Sequence, residues 1–291
     1  MAKHNKALRD VDAPFYSYWQ ALYLSFFSRR LYVDVGKRWK GYGILYLLLL
    51  MFIVTLPFAL RVTLDFNRFF DYQILEPMQK LPKFYVQNGK VSLDKPMPYL
   101  IKNSKGDVVS IIDTTGAITR IDDRYPHLSV LVTANQIIYR LPTPQFFFAS
   151  ANKKQESPIY IQELSKGMNE VFSGEELSKS SGIERLKILS DATIYPTIVL
   201  MFTIIYLAFF LVFALMGQFV AKLFMKFSLT YKQSCRLLIV ASTPQITALV
   251  IFLTLNWVFY GFGFFLIVLF AAYFSFAVLS LKRESHKLVV S

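Results

Sequence analysis

The sequence predicts a polytopic α-helical membrane protein: four transmembrane helices, with an extracytoplasmic, mainly β (α+β) domain inserted between helices 1 and 2. Three observations predict it. The chain of 291 residues is 54% hydrophobic and only 18% charged, more apolar than ordinary soluble domains. Its apolar residues fall into three uncharged runs, Gly41 to Leu60, Ala192 to Ala221 and Leu237 to Leu281, of 20, 30 and 45 residues. The basic residues gather in the short segments around those runs.

Residues 1–40 read as a cytoplasmic basic amphipathic segment. In "FYSYWQALYLSFF" (15–27), Phe15, Tyr16, Trp19, Leu22, Tyr23, Phe26 and Phe27 recur at helical spacing. Arg29, Arg30, Lys37, Arg38 and Lys40 follow, with Trp39 among them. Two readings fit. The helix lies in the inner-leaflet interface, with Trp19 and Trp39 and the basic cluster as anchors, or it packs on the cytoplasmic ends of the bundle. Residues 41–61 form transmembrane helix 1, an uncleaved signal anchor, because crossing a core about 30 Å thick takes about 20 apolar residues. Residues 192–221 form helix 2. The run from 237 to 281 is about twice too long for one span. It turns back at Asn256-Trp257 and at Gly261 and Gly263, which gives helices 3 and 4.

Charge orients the spans. Residues 1–42 carry eight Lys or Arg against three acids. The loop 222–236 has Lys222, Lys226, Lys232 and Arg236 and no acid, and the tail 282–291 has three bases against Glu284. Basic short segments stay in the cytoplasm, which puts residues 62–191 outside. The net charge of +13 is thus a topology signal and a contact for anionic inner-leaflet lipids, with no nucleic acid as partner. The topology implied is a multi-pass membrane protein with both termini inside.

The outer segment, 62–191, changes character along its length. Arg61 to Lys80 prolongs the first helix. An antiparallel sheet is expected over about residues 83–140, from the apolar segments "YLI", "VVSII", "AITRI", "SVLV" and "QIIYR" between turn signals. Asn88-Gly89 is a two-residue hairpin signal that sets Val86 opposite Val91 and Phe84 opposite Leu93, all on one face. Residues 157–189 read as helical.

"SIIDTTGAIT" (110–119) offers a candidate carboxylate, Asp113. An aspartic protease needs Asp-Thr-Gly and two such carboxylates; an extra threonine intervenes here, and the chain has one copy. A P-type phosphorylation site would need a Lys and a final Thr that are missing. Asp and Thr bond local backbone groups and Gly permits positive φ, so Asp113 and Gly116 read as turn residues. His4, His127 and His286 have no partner at ligand spacing, so no metal site is expected, and no cofactor. Cys235 stands alone.

The three uncharged runs contain no Asp, Glu, Lys, Arg or His, which argues against a self-sufficient pump. Their one polar cluster is Ser242, Thr243, Pro244, Gln245 and Thr247. Pro244 frees the carbonyl of Val240, and the neighbouring hydroxyl and amide groups can satisfy it. The cluster is either packing glue or a contact for lipid or solute.

Four segments carry a resemblance: "SFFSRRLYVDVGKRWKGYGILYLLLL", "LPKFYVQNGKVSLDKPMPYLI", "IIDTTG" and "LTYKQSCRLLIVASTPQI". In this order, over roughly residues 20–255, they resemble the bacterial DUF family numbered 1189. The stretch from Tyr231 through Pro244 is also similar to the Yip-type superfamily of multi-span membrane proteins. The resemblance implies a membrane architecture with an inserted extracytoplasmic domain, and no catalytic activity or cofactor. The function expected is a non-enzymatic binding or scaffold subunit that engages an envelope protein or membrane complex. A transport or lipid-handling component is the alternative, and an extracytoplasmic ligand sensor the second.

Overall fold

The computed structural model describes residues 13–140, 158–174 and 182–290. The chain divides into two compact units, one of residues 1–61 with 195–291, the other of residues 62–194.

The helical unit begins with α1 (Tyr18–Leu24), which starts in a capping box: Ser17 Oγ accepts from Gln20 N, and Gln20 Oε1 accepts from Ser17 N. Ser28 caps α2 (Arg29–Lys37). The first apolar run forms α3 (Ile44–Val54), and α4 (Leu56–Phe70) follows after a 47° bend at Thr55. Pro57 explains that bend. It has no N–H for the carbonyl of Ile53, which the N–H of Thr55 takes instead. The expected single helix over 41–61 is therefore two.

The helix continues after α4 through a π turn (Asp71–Leu75) into the short α5 (Glu76–Gln79), as the polar-apolar stretch predicts. Helix α6 (Ile183–Met225) contains the expected second span. A second capping box, Thr230 with Gln233, opens α7 (Tyr231–Ala241). It breaks at Ser242 and continues as α8 (Thr243–Leu255), with Pro244 in its first turn. Asn256 ends α8 in the left-handed region (φ 53°), and α9 (Phe262–Val290) runs on from there. Among the described residues three helical stretches are long and apolar enough to cross a membrane: α6, α7 with α8, and α9. The bent pair α3–α4 makes a fourth when taken as one span.

Among the described residues the other unit has eight strands: β1 (Phe84–Gln87), β2 (Lys90–Ser92), β3 (Tyr99–Lys102), β4 (Val108–Ile112), β5 (Val130–Val132), β6 (Gln136–Arg140), β7 (Ile159–Glu163) and β8 (Glu170–Phe172). They form a three-stranded sheet, β2-β1-β8, and a five-stranded sheet, β3-β4-β5-β6-β7. The hairpin has the expected register. Val86 pairs with Val91 across Asn88 (φ 52°) and Gly89 (φ 73°), and Phe84, Val86 and Val91 are buried on one face with Leu93 packed beside them. That face joins Ile112 and Val132 of the larger sheet. The period of two sends their neighbours Ile111 and Leu131 to the opposite face, against Ile118, Ile121 and Leu128.

Three features differ from the antiparallel expectation. Strands β4 and β5 pair in parallel, Ile111 opposite Leu131, because a long crossover joins them rather than a hairpin. "AITRI" is no strand; it lies in that crossover, where Ile118 and Ile121 fill the core. Residues 159–163 and 170–172 are strands, not helix. The β-branched and aromatic run Ile159-Tyr160-Ile161 favours a pleated surface, and pairing with β6 overrides the helical spacing. Of the expected helical stretch 157–189, residues 183–189 are helix, while residues 157 and 175–181 lie outside the described residues.

Candidate functional site

A proline inside a helix leaves the carbonyl four residues earlier without its partner. For Pro244 that carbonyl belongs to Val240. The Ser242 N–H and the Thr243 hydroxyl (2.9 Å) both donate to it. Ser242 donates its hydroxyl to Ile239 O (2.7 Å) and Thr247 to Thr243 O (2.8 Å). Ser242, Thr243 and Pro244 are buried.

Two members of the cluster reach other helices. Thr243 Oγ1, its own proton on Val240 O, accepts from the Tyr46 hydroxyl of α3 at 2.7 Å, and the Tyr46 oxygen lies 3.4 Å from Ala21 O of α1. The Gln245 amide donates to the Tyr206 hydroxyl of α6 at 3.3 Å. The break in α7–α8 therefore bonds to two other helices, α3 and α6. Tyr46 and Tyr206 could not be singled out from the sequence, because a tyrosine in an apolar run carries no mark of its partner.

One turn further down α7 stands Arg236. Sequence position alone counts it as a loop charge, yet it is 8% exposed. Its guanidinium donates to Gly36 O (2.8 Å) and to Trp39 O, and Gln233 Nε2 donates to Gly36 O at 3.2 Å. These acceptors are the end carbonyls of α2 and the residues just beyond, so α7 supplies a cationic C-cap to another helix. Gly36 lies close to α9, where an added Cβ would stand 2.7 Å from Leu281 Cδ2 and that side chain would have to move. At the other end of α8, Arg61 of α4 repeats the device, donating to Leu253 O (3.1 Å) and Thr254 O (2.6 Å).

The interface residues divide. Trp19, Arg29, Arg30, Lys37 and Lys40 are exposed. Trp39 is not an interface anchor: it is 3% exposed, its ring 4.8 Å from Tyr18 and 5.6 Å from Tyr46. The glycine-bearing loop after α2 folds back onto α7 and carries Trp39 inward, with Gly43 left-handed (φ 87°) against Arg236. Arg38 turns inward too, with its guanidinium 3.4 Å from Asp34 and stacked 4.1 Å over the Phe15 ring. Asp34 is buried and accepts the N–H groups of Phe15 and Tyr16 at 3.0–3.1 Å.

In the other unit, the Asp113 carboxylate is buried and accepts from Thr115 N (2.9 Å), Thr115 Oγ1 (2.6 Å) and Ile118 N (2.6 Å). Burial alone would push its carboxyl up. The bonds from Thr115 and Ile118, helped by the nearby Ala117 N–H, outweigh burial and hold it below the usual carboxylate range. Gly116 is left-handed at φ 82°. This geometry organises a loop. Among the described residues no His, Cys, Asp or Glu cluster could hold a metal ion. His4 and the side chain of His286 lie outside the described residues.

A family model described as "Protein of unknown function (DUF1189)" matches residues 19–278. No curated protein and no solved structure matches the chain.

Proposed function

From a chain that belongs to the DUF1189 family, we infer a non-enzymatic binding or scaffold subunit of the bacterial cytoplasmic membrane. Its helices sit in the bilayer with both termini inside, and the strand-built unit engages an envelope protein outside. The Lys and Arg bias of residues 1–42, 222–236 and 282–291 supports that orientation.

One observation carries the reading. Strand β7 ends the five-stranded sheet, and all five of its residues are exposed, with Ile159 at 50% and Ile161 at 63%. It pairs with β6 along one edge, and among the described residues no strand pairs with the other. An open edge with apolar side chains is the surface that an extended partner segment completes, main-chain bonds giving affinity and alternate side chains specificity. Burying the exposed part of one isoleucine there is worth about 1–2 kcal/mol.

A photo-crosslinking residue at Tyr160, with Lys95 as an exposed control, tests this in native membranes. The reading expects one discrete adduct from position 160 and none from 95. No adduct at 160 removes the docking edge.

The alternative, a transport or lipid-handling component, draws on the two proline breaks and on Gln245, which is only partly buried. The hydrogen bonds of the cluster favour the scaffold: each polar side chain from Ser242 to Thr247 already has a partner inside the bundle.

A further inference from the structure

We propose that α1 and α2 form a fixed shelf for anionic phospholipid headgroups, with the α1 aromatic rings sunk into the bilayer interface. The proposal is independent of the partner at β7. Most short amphipathic helices keep their apolar residues against the protein; α1 leaves a second apolar side uncovered. Its inner side is Tyr18, packed on Trp39 and Tyr46, and Ala21, fully buried with its carbonyl 3.4 Å from the Tyr46 oxygen. Its outer side is Trp19 and Tyr23, continued by Phe26 and Phe27, which are 62, 56, 41 and 65% exposed. Four large rings left in water would be a contiguous apolar patch of the kind soluble surfaces avoid.

Charge and continuity select the bilayer as the occupant. Arg29, Arg30, Lys37 and Lys40 are exposed directly after the rings, while the one acid of α2, Asp34, is buried and engaged. Aromatic rings at headgroup level flanked by Lys and Arg are the pattern of an interfacial anchor on an anionic leaflet. The surface then continues into Leu45, Leu48 and Phe52 of α3, the outward face of a candidate span. The shelf is also held still. Asp34 grips the backbone ahead of α1, the Tyr32 hydroxyl donates to Ser25 O behind it, and Arg236 with Gln233 caps the end of α2.

The test uses the full chain in lipid nanodiscs. Cys235 is replaced by Ala, and single nitroxide labels are placed at Trp19→Cys, Phe27→Cys and, as a water-exposed control, Ser228→Cys. Collision with oxygen should exceed collision with a nickel chelate at 19 and 27, with the reverse at 228. In a second arm, spin-labelled phosphatidylglycerol and phosphatidylcholine report the restricted fraction of each lipid around the wild-type chain. Phosphatidylglycerol should be preferred several-fold, and Arg30→Gln with Lys37→Gln should bring the ratio close to one. Labels at 19 and 27 as open to nickel as 228 would overturn the shelf. So would labels shielded from both reagents, the signature of a covering protein, or a lipid preference unchanged in the Gln variant.

Discussion

Asp113→Asn separates a loop organiser from a reacting carboxylate, and the structure sets the size of the effect. Two carboxylate oxygens accept three donors: Thr115 N–H and O–H at one, Ile118 N–H at the other. Asparagine keeps one oxygen. Placed to serve Thr115, it turns its amide NH2 toward the Ile118 N–H and leaves that buried donor unsatisfied. Such a loss costs about 1–3 kcal/mol. For a unit of this size each kcal/mol lowers Tm by about 3–5 °C. The assay is thermal unfolding of the purified chain, with hydrogen exchange at β4–β6 to isolate the sheet. The pH dependence gives a second handle. The carboxyl is held below its ordinary value, so its contribution is fully present above the unfolded value near about 3.9, and it is lost as pH falls through the lower folded value. The gap between wild type and Asn should therefore be widest above pH 5 and narrow below about pH 4. Equal stability of the two proteins at neutral pH would refute this account. Lost activity with unchanged stability would return Asp113 to the role of a reacting group.

Arg236→Leu should destabilise the helical unit by about 1–3 kcal/mol in detergent melts, because Trp39 O loses its cationic donor while Gln233 still serves Gly36. Equal melting would mean that the C-cap is ornamental. A double-mutant cycle on Tyr46→Phe and Thr243→Val should give a coupling of about 0.6 kcal/mol, the usual size of interhelical hydrogen bonds in membranes; zero coupling would disconnect α3 from the Pro244 break. Cysteine labelling from outside should reach Leu100→Cys and miss Ser228→Cys, and the opposite result would invert the proposed orientation.

The sequence made the apolar spans and the Asn88-Gly89 hairpin legible because each rests on a local signal: run length for the first, positive φ with period two for the second. The link from Pro244 to the Val240 carbonyl was legible for the same reason, since proline chemistry acts within one turn. What the sequence hid was long-range. Arg236 looks like a flanking loop charge, and only the fold of residues 39–43 onto α7 shows that it caps α2. Trp39 looks like an interface anchor until that same loop carries it inward. Ile159-Tyr160-Ile161 fits a helix or a strand by spacing, and its pairing with β6 decides. The Pro57 bend carries no local sequence mark, because no polar cluster surrounds it; the Thr55 N–H lies on both Met51 O and the freed Ile53 O.

Co-purification from native membranes, with wild type set against Ile161→Lys and Gln245→Leu, tests the proposed function most directly. A charge on the exposed edge of β7 cannot be buried against a partner strand, whereas Gln245 contributes one interhelical bond worth about 0.6 kcal/mol. The account predicts a stoichiometric protein that is retained by wild type and by Gln245→Leu and lost from Ile161→Lys. Retention by Ile161→Lys, together with a folded but inactive Gln245→Leu, would contradict it and move the function into the helix bundle.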